Sequence, residues 1–255
     1  MMINDDISFC QRQARQHDYD RYIITLAAPS AMRGYLAVVV AFNDEIARIR
    51  DTVSEPALGD IRLAWWREAI NEAASGSTID HPVARAIAET FRQTGLDPRH
   101  LHAMIDARQR DLDDTPFQTL EELELYAEAT AGSLAHAQLD ILGVKDETAI
   151  TATDQSATAW ALIGSVRALD HHRRAGRQFI SSDVETPAIL RRAEDLILFA
   201  RGQSRKIPRR AAPVLMTNLL ADQYLARLKT GNNAVVISNF KKARIILWNK
   251  VLGRY

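Results

Sequence analysis

Asp44, Arg48 and Asp51 stand four and then three residues apart in a stretch with helical periodicity, so their side chains fall on one helix face. Charges of alternating sign at that spacing make an ion-pair ladder, worth about 0.3–0.5 kcal/mol per pair when exposed. A second group with chemical potential is Asp170-His171-His172. Adjacent histidines on a helix point about 100° apart and rarely share one metal, and no further ligand stands at motif spacing. Zinc is therefore not expected there. His100 and His102 read as a solvated helix face. Cys10 is the only cysteine, which excludes an internal disulfide and any multi-cysteine metal site.

The elements that must position these residues are helices. Nearly every segment carries an apolar period of about 3.6, and no stretch alternates as a strand. Pro29 and Ser30 open a helix through Val38, Phe42, Ile46 and Ile49. After Ser54-Glu55-Pro56 a second carries Leu58, Ile61, Trp65 and Ile70 to about Gly76. Trp65 and Trp66 are expected to divide between core and edge. Pro82 begins a third helix, which stops at Gly95. Asp97-Pro98 caps the next, holding Leu101, Ile105 and Leu112. Thr119 and Glu122 have capping-box spacing and start a helix to about Gly143. A long helix covers roughly Thr153 to Arg174, followed by helices at about 186–203, 211–229 and 238–252. Connections are short and no repeat is visible, so residues 1–255 read as a single all-α domain.

With 47% hydrophobic residues in 255, the chain can bury a large core. Lys+Arg and Asp+Glu are both 32, which leaves no electrostatic footprint for nucleic acid. The charge is unevenly spread, however. From Arg201 to Tyr255 there are twelve basic residues and one acid, Asp222, and the preceding part is net acidic. The N-terminus, from Met1 to Asp6, is acidic and has neither a basic nor an apolar signal region, so no signal or transit peptide is expected. The longest apolar run, Tyr35 to Phe42, is far below the roughly 20 residues that span a bilayer.

The segment Ala41-Phe42-Asn43-Asp44-Glu45-Ile46-Ala47-Arg48-Ile49-Arg50-Asp51 resembles the first motif of the squalene/phytoene synthase family, roughly Ala-Phe-Cys-Arg-x-x-Asp-Asp-x-x-Asp. Other landmarks follow in order: Arg21-Tyr22, Ala28-Pro29, Arg33, Ile61 to Arg67, Asp111-Leu112, Leu120 to Leu123, Tyr126, Ala131-Gly132, and Arg167 through Arg177. The resemblance covers residues from about 10 to 230. It implies a helical bundle of the class I isoprenoid synthase type. In active members, carboxylates on facing helices hold Mg²⁺ against a prenyl diphosphate, and the metal supports the leaving diphosphate.

On that template this chain departs at the positions that matter. The aspartates of the first motif correspond to Ala47, Arg48 and Asp51, and the arginine three residues earlier corresponds to Asp44. In the second motif the outer aspartates correspond to Ala168 and His172, the glutamate to His171 and the asparagine to Gly164. Neutral imidazole is a poor Mg²⁺ ligand. The resemblance thus implies that the metal site of an active synthase cannot form, so no cofactor is expected. Vestigial pocket candidates are Asp44, Arg48, Asp51, Asp111, Tyr126, Arg167 and Arg177. Arg48 would supply a fixed internal cation, and Asp111 a hydrogen-bond acceptor between helices. Tyr126, Arg167 and Arg177 match positions that handle the prenyl chain or diphosphate, or else they serve packing and salt bridging.

The run Phe42 to Glu55 is similar to a non-catalytic branch of that family, one that includes a mitochondrial complex I assembly factor and bacterial counterparts. It implies a role in membrane-associated assembly of respiratory complex I, with isoprenoid binding as a further expectation. The alternative is an active, divergent head-to-head prenyltransferase, for which Mg²⁺ would be required. The expected location is the bacterial cytoplasm at the periphery of the inner membrane, rather than the mitochondrial matrix. The basic, amphipathic segment at about 232–255 is the element expected to meet a membrane surface or a membrane-protein partner, or else to close the bundle.

Overall fold

The computed structural model describes residues 2–77, 79–231, 236–253 and 255, with side chains from Asn4 onward. Met1, and Val235 with the rest of 232–235 and Arg254 in the basic tail, lie outside the described residues. The helices in chain order are α1 Met2–His17, α2 Tyr19–Thr25, α3 Ser30–Ala47, α4 Ile49–Thr52 and α5 Pro56–Ser75. Next come α6 Pro82–Gln93, α7 Pro98–Arg108 with a 3-10 turn Gln109–Leu112, and α8 Leu120–Ala127 with a π turn Glu128–Gly132. Then follow α9 Ser133–Ile141, α10 Glu147–Arg174, α11 Thr186–Gly202, α12 Ala212–Leu215, α13 Thr217–Leu228 and α14 Asn239–Leu252. The class is all-α: among the described residues Phe117 and Ile180 form an isolated parallel bridge, and no strand is present. No helix is long and apolar enough to cross a membrane among the described residues.

Local chemistry explains most of the boundaries. Pro56, Pro82 and Pro98 occupy first-turn positions, where the missing N–H has no partner to lose. Thr119 Oγ1 accepts from the Glu122 N–H at 3.1 Å, while the Glu122 carboxylate accepts from the Gln118 N–H at 2.8 Å. The capping pair is therefore formed, with its return arm one residue further out than a standard box. Gly76 ends α5 at φ +83°, a conformation that costs glycine nothing. Two expectations need correction. The helix from Pro29 breaks at Arg48 and resumes as the single turn α4, which gives way at Val53 to extended chain that leads to Glu55, held extended by Pro56. The long helix starts at Glu147, capped by Asp146, whose carboxylate accepts from the Ala149 N–H at 2.8 Å. Helices α1 and α2 were not anticipated at all.

The contacts gather the chain into two compact units. The first comprises Met1–Asp113 with Ser133–Lys145. Its α3 is apolar all round, and every residue from Leu36 to Phe42 is at most 1% exposed. Within the unit α3 packs against α1, α6, α7 and α9. Each fully buried large aliphatic or aromatic side chain contributes about 1.5–3 kcal/mol. Asp6 of α1, nearly buried, takes a bidentate grip from Arg85 of α6, with Nε and Nη2 each donating at 2.9 Å. Cys10 is fully buried on the same helix, and its thiol is pushed up to about 12, first by burial and then by the Asp6 charge. A thiol in that state is a small apolar filler, not a nucleophile. On α5, Gly59 lets the 3-10 turn approach: a Cβ there would collide with Leu112 Cδ2. The tryptophans divide as expected, Trp66 being 4% exposed and Trp65 44%.

The second unit comprises Asp114–Gly132 with Asp146–Tyr255. Here α10 packs against α8, the π turn, α11, α12 and α13. A buried polar link ties α10 to α13, with Asn218 Nδ2 donating to Ser156 Oγ at 2.9 Å. Ser156 in turn donates to the Ala152 carbonyl at 2.8 Å. A buried amide linked in this way fixes the register of the two helices, because sliding either one would break the bond.

Candidate functional site

In the first unit, the last turn of α3 presents Asp44 with its side chain 12% exposed. His17, at the end of α1, approaches with Nδ1 2.8 Å from Asp44 Oδ2. A carboxylate accepts, so that nitrogen carries the proton. Arg48 Nε lies 3.1 Å from the same oxygen, an ion pair without the alignment of a hydrogen bond. Asp44 is thereby engaged from two sides. Asp51 lies beyond the break, on α4, and is exposed. The expected ladder thus forms between Asp44 and Arg48 but is not continued on one unbroken helix face.

Asp111 sits on the 3-10 turn, with its side chain 14% exposed, and accepts from Arg108 Nη1 at 3.0 Å. The other nitrogen of that guanidinium, Nη2, points at Asn43 Oδ1 at 3.4 Å. Arg108 therefore spans from Asp111 to the residue preceding Asp44. His100 is not a simply solvated side chain, since Nε2 lies 3.1 Å from Asp140 Oδ2.

Arg48 also borders a half-open pocket of about 260 Å³, walled by Glu45, Arg62, Trp65, Trp66 and His81 among others. Arg62 Nη1 donates to Thr52 Oγ1 at 2.6 Å. His81 meets both tryptophans edge-on, with centroids 5.4 Å from Trp65 and 5.0 Å from Trp66. Its Nδ1 is buried without a hydrogen-bond partner. Burial is the main reason that His81 is held below the ordinary histidine range. Arg85 adds to this, while Glu45 and Asp80 oppose it. The sign follows directly. The folded state prefers neutral His81, so its contribution is complete above the unfolded value near 6.5 and is lost as pH falls below it. Replacing His81 with Phe is expected to shrink the stability difference between pH 7.5 and pH 5, measured by urea unfolding. An unchanged difference would contradict this account.

In the second unit, α10 ends in a Schellman motif: Gly176 at φ +70° donates to the Arg173 carbonyl, and the Arg177 N–H donates to the His172 carbonyl at 2.9 Å. Arg177 is half-buried just past that end. The His172 ring stacks on Phe179, with centroids 4.5 Å apart and planes 8° from parallel. Phe179 meets Phe117 at 5.1 Å and Tyr126 at 6.0 Å. Tyr126 thus belongs to an aromatic cluster that includes His172. One turn earlier, the Arg167 guanidinium lies 3.6 Å above the ring of Tyr224, which is fully buried. Asp170 pairs with Arg173 at 2.6 Å.

Hard Mg²⁺ wants several oxygen ligands. Positions 47, 48, 51, 168, 171 and 172 offer Ala, Arg, Asp, Ala, His and His, so Asp51 is the one carboxylate among them, and Asp111 is tied to Arg108. Alanine, arginine and neutral imidazole supply no hard oxygen for Mg²⁺. Among the described residues, no three His, Cys, Asp or Glu groups are placed to share an ion. Sequence spacing did not single out His17, Arg108, Phe179, Tyr224 or the His81 pocket. His17 lies 27 residues from Asp44, Arg108 lies 65 from Asn43 and Tyr224 stands on another helix from Arg167, while only Trp65 and Trp66 gave a local signal.

The profile of the family described as Squalene/phytoene synthase matches residues 14–187. "NADH dehydrogenase (ubiquinone) complex I, assembly factor 6" of Bos taurus is 30% identical over 243 residues, covering 87% of this chain and 73% of that protein. The protein of the same description from Homo sapiens is 27% identical over the same shares. Among solved structures, a dehydrosqualene synthase crystallised with a ligand superposes with TM-score 0.82 at 16% identity, covering 98% of this chain and 97% of that one.

Proposed function

Because this chain belongs to the squalene/phytoene synthase family, we propose that it keeps the family's helical fold without its prenyl-condensing chemistry and serves the assembly of a respiratory NADH:quinone oxidoreductase. The observation that carries the first half is the fate of two former metal positions. Arg48 is paired with Asp44, and His172 is stacked on Phe179. Neither side chain offers a hard oxygen, and Arg48 brings positive charge where Mg²⁺ would be held. Without the metal, a leaving diphosphate lacks the charge neutralisation that ionisation of an allylic substrate needs. Support for the second half is the likeness to proteins described as complex I assembly factors, which spans most of the chain.

Two measurements test the halves separately. Purified chain with farnesyl or geranylgeranyl diphosphate and Mg²⁺ is expected to release no pyrophosphate above the protein-free rate. Metal-dependent formation of a head-to-head product would overturn this and make the chain an active, divergent prenyltransferase. Removing the chain from its cell of origin is expected to lower the amount of fully assembled oxidoreductase, with recovery on re-expression. Unchanged assembly would reject that role. In that case, saturable binding of a prenyl diphosphate without turnover would favour an isoprenoid-binding module.

A further inference from the structure

Helix α14 turns its apolar side outward. Ile246 is its buried residue, whereas Phe240 is 77% exposed, Leu247 57%, Trp248 66% and Val251 83%. Positions 240, 244, 247, 248 and 251 form one stripe along a helix of 3.6 residues per turn. A shallow apolar surface of about 370 Å³ runs along it, and among the described residues its lining belongs to α14 itself. Among the described residues no second element builds a socket, so the surface they form is a ridge and not a cleft for an inserted side chain. Val236, also exposed, precedes it.

The charge on this ridge has one sign. Arg244 stands within the stripe, and by the helical step Lys241 and Lys250 fall on its two margins. From Gln223 to Tyr255 the sequence contains no Asp or Glu. We propose that this face lies on an anionic lipid bilayer, with Phe240, Leu247, Trp248 and Val251 at the headgroup–acyl boundary and the basic groups on lipid phosphates. Three features favour lipid over a folded protein partner. An arginine amid apolar side chains would need a matching carboxylate in a protein interface. At a bilayer its stem lies along the apolar surface while the guanidinium reaches a phosphate. A ridge suits a surface that deforms around it, and a tryptophan beside basic residues is the composition of an interfacial helix. No described helix is fit to cross a membrane, so the attachment is by lying on it. This inference stands independently of the assembly role.

The test is co-sedimentation of the full chain with vesicles of phosphatidylcholine, alone or mixed with phosphatidylglycerol. Binding is expected only with the anionic lipid and is expected to fall as salt rises. The double variant Lys241→Gln/Arg244→Gln should lower the partition coefficient about twenty-five-fold, about fivefold per charge. Trp248→Ser, at an exposed position, should also weaken binding while leaving the circular-dichroism melt in place. No sedimentation with either vesicle, or equal binding to both, would overturn the proposal. So would a dimer that Trp248→Ser dissociates in the absence of any vesicle binding, because the face would then belong to a second copy of the chain.

Discussion

Tyr224→Ala is expected to destabilise the chain by about 4 kcal/mol, the middle of the range for deleting a buried aromatic ring. Tyr224 is fully buried, meets Trp160 edge-on with centroids 5.9 Å apart, and carries the Arg167 guanidinium 3.6 Å over its face. Arg167 itself is exposed, so the cation–π contact adds about 0.5–1 kcal/mol. Tyr224→Phe keeps the ring and should cost much less. Arg167→Ala should cost about 1 kcal/mol in the wild-type background and less alongside Tyr224→Ala, the difference giving the coupling through the ring, about 0.5–1 kcal/mol. Urea unfolding of the four proteins in this cycle provides the measurement. The result bears on function, since the family resemblance raises the expectation that Arg167 meets a prenyl substrate. If Arg167→Ala left stability untouched but abolished binding of a prenyl diphosphate, the packing role would be rejected.

The helices were legible wherever backbone chemistry marks them. Pro56, Pro82, Pro98 and Thr119 each begin one within a residue of where the sequence places it. Helix α1 was not visible because its buried positions, Asp6, Cys10 and Ala14, are a charge and two small residues. Such a face gives almost no apolar period, although it is one of the surfaces that covers α3. Its burial rests on Arg85 reaching Asp6 from 79 residues away, which no local pattern encodes.

The same asymmetry governs the candidate site. The Asp44–Arg48 pair was readable, because four-residue spacing on a helix is a local property. The tertiary partners around it were not readable. His17 reaches Asp44 across 27 residues, Arg108 reaches Asn43 across 65, and Phe179 meets His172 only because α10 ends at Gly176 and turns the chain back. Only Arg48 continues a local pattern. The rest is tertiary packing, which a sequence displays as unrelated residues.

Trp66→Ala should cost a further amount of similar size, about 4 kcal/mol, and should act on the Asp44 region through the packing of α3. Trp66 is 4% exposed, and its ring stands edge-on to Phe42 at 5.3 Å, Trp65 at 4.9 Å and His81 at 5.0 Å. Phe42 is fully buried two residues before Asp44, so the indole braces the turn of α3 that carries the ion pair. Trp65, 44% exposed, should cost only about 1 kcal/mol when truncated, because much of its surface is already in water. The contrast between neighbours separates packing from helix propensity, which the two substitutions change alike. A second readout follows from the pocket. Removing the indole admits water to His81, so its histidine value should rise toward the ordinary one and the acid-side loss of stability should flatten. Equal costs at positions 65 and 66, or an acid limb as steep as in the wild type, would show that Trp66 does not seal this pocket.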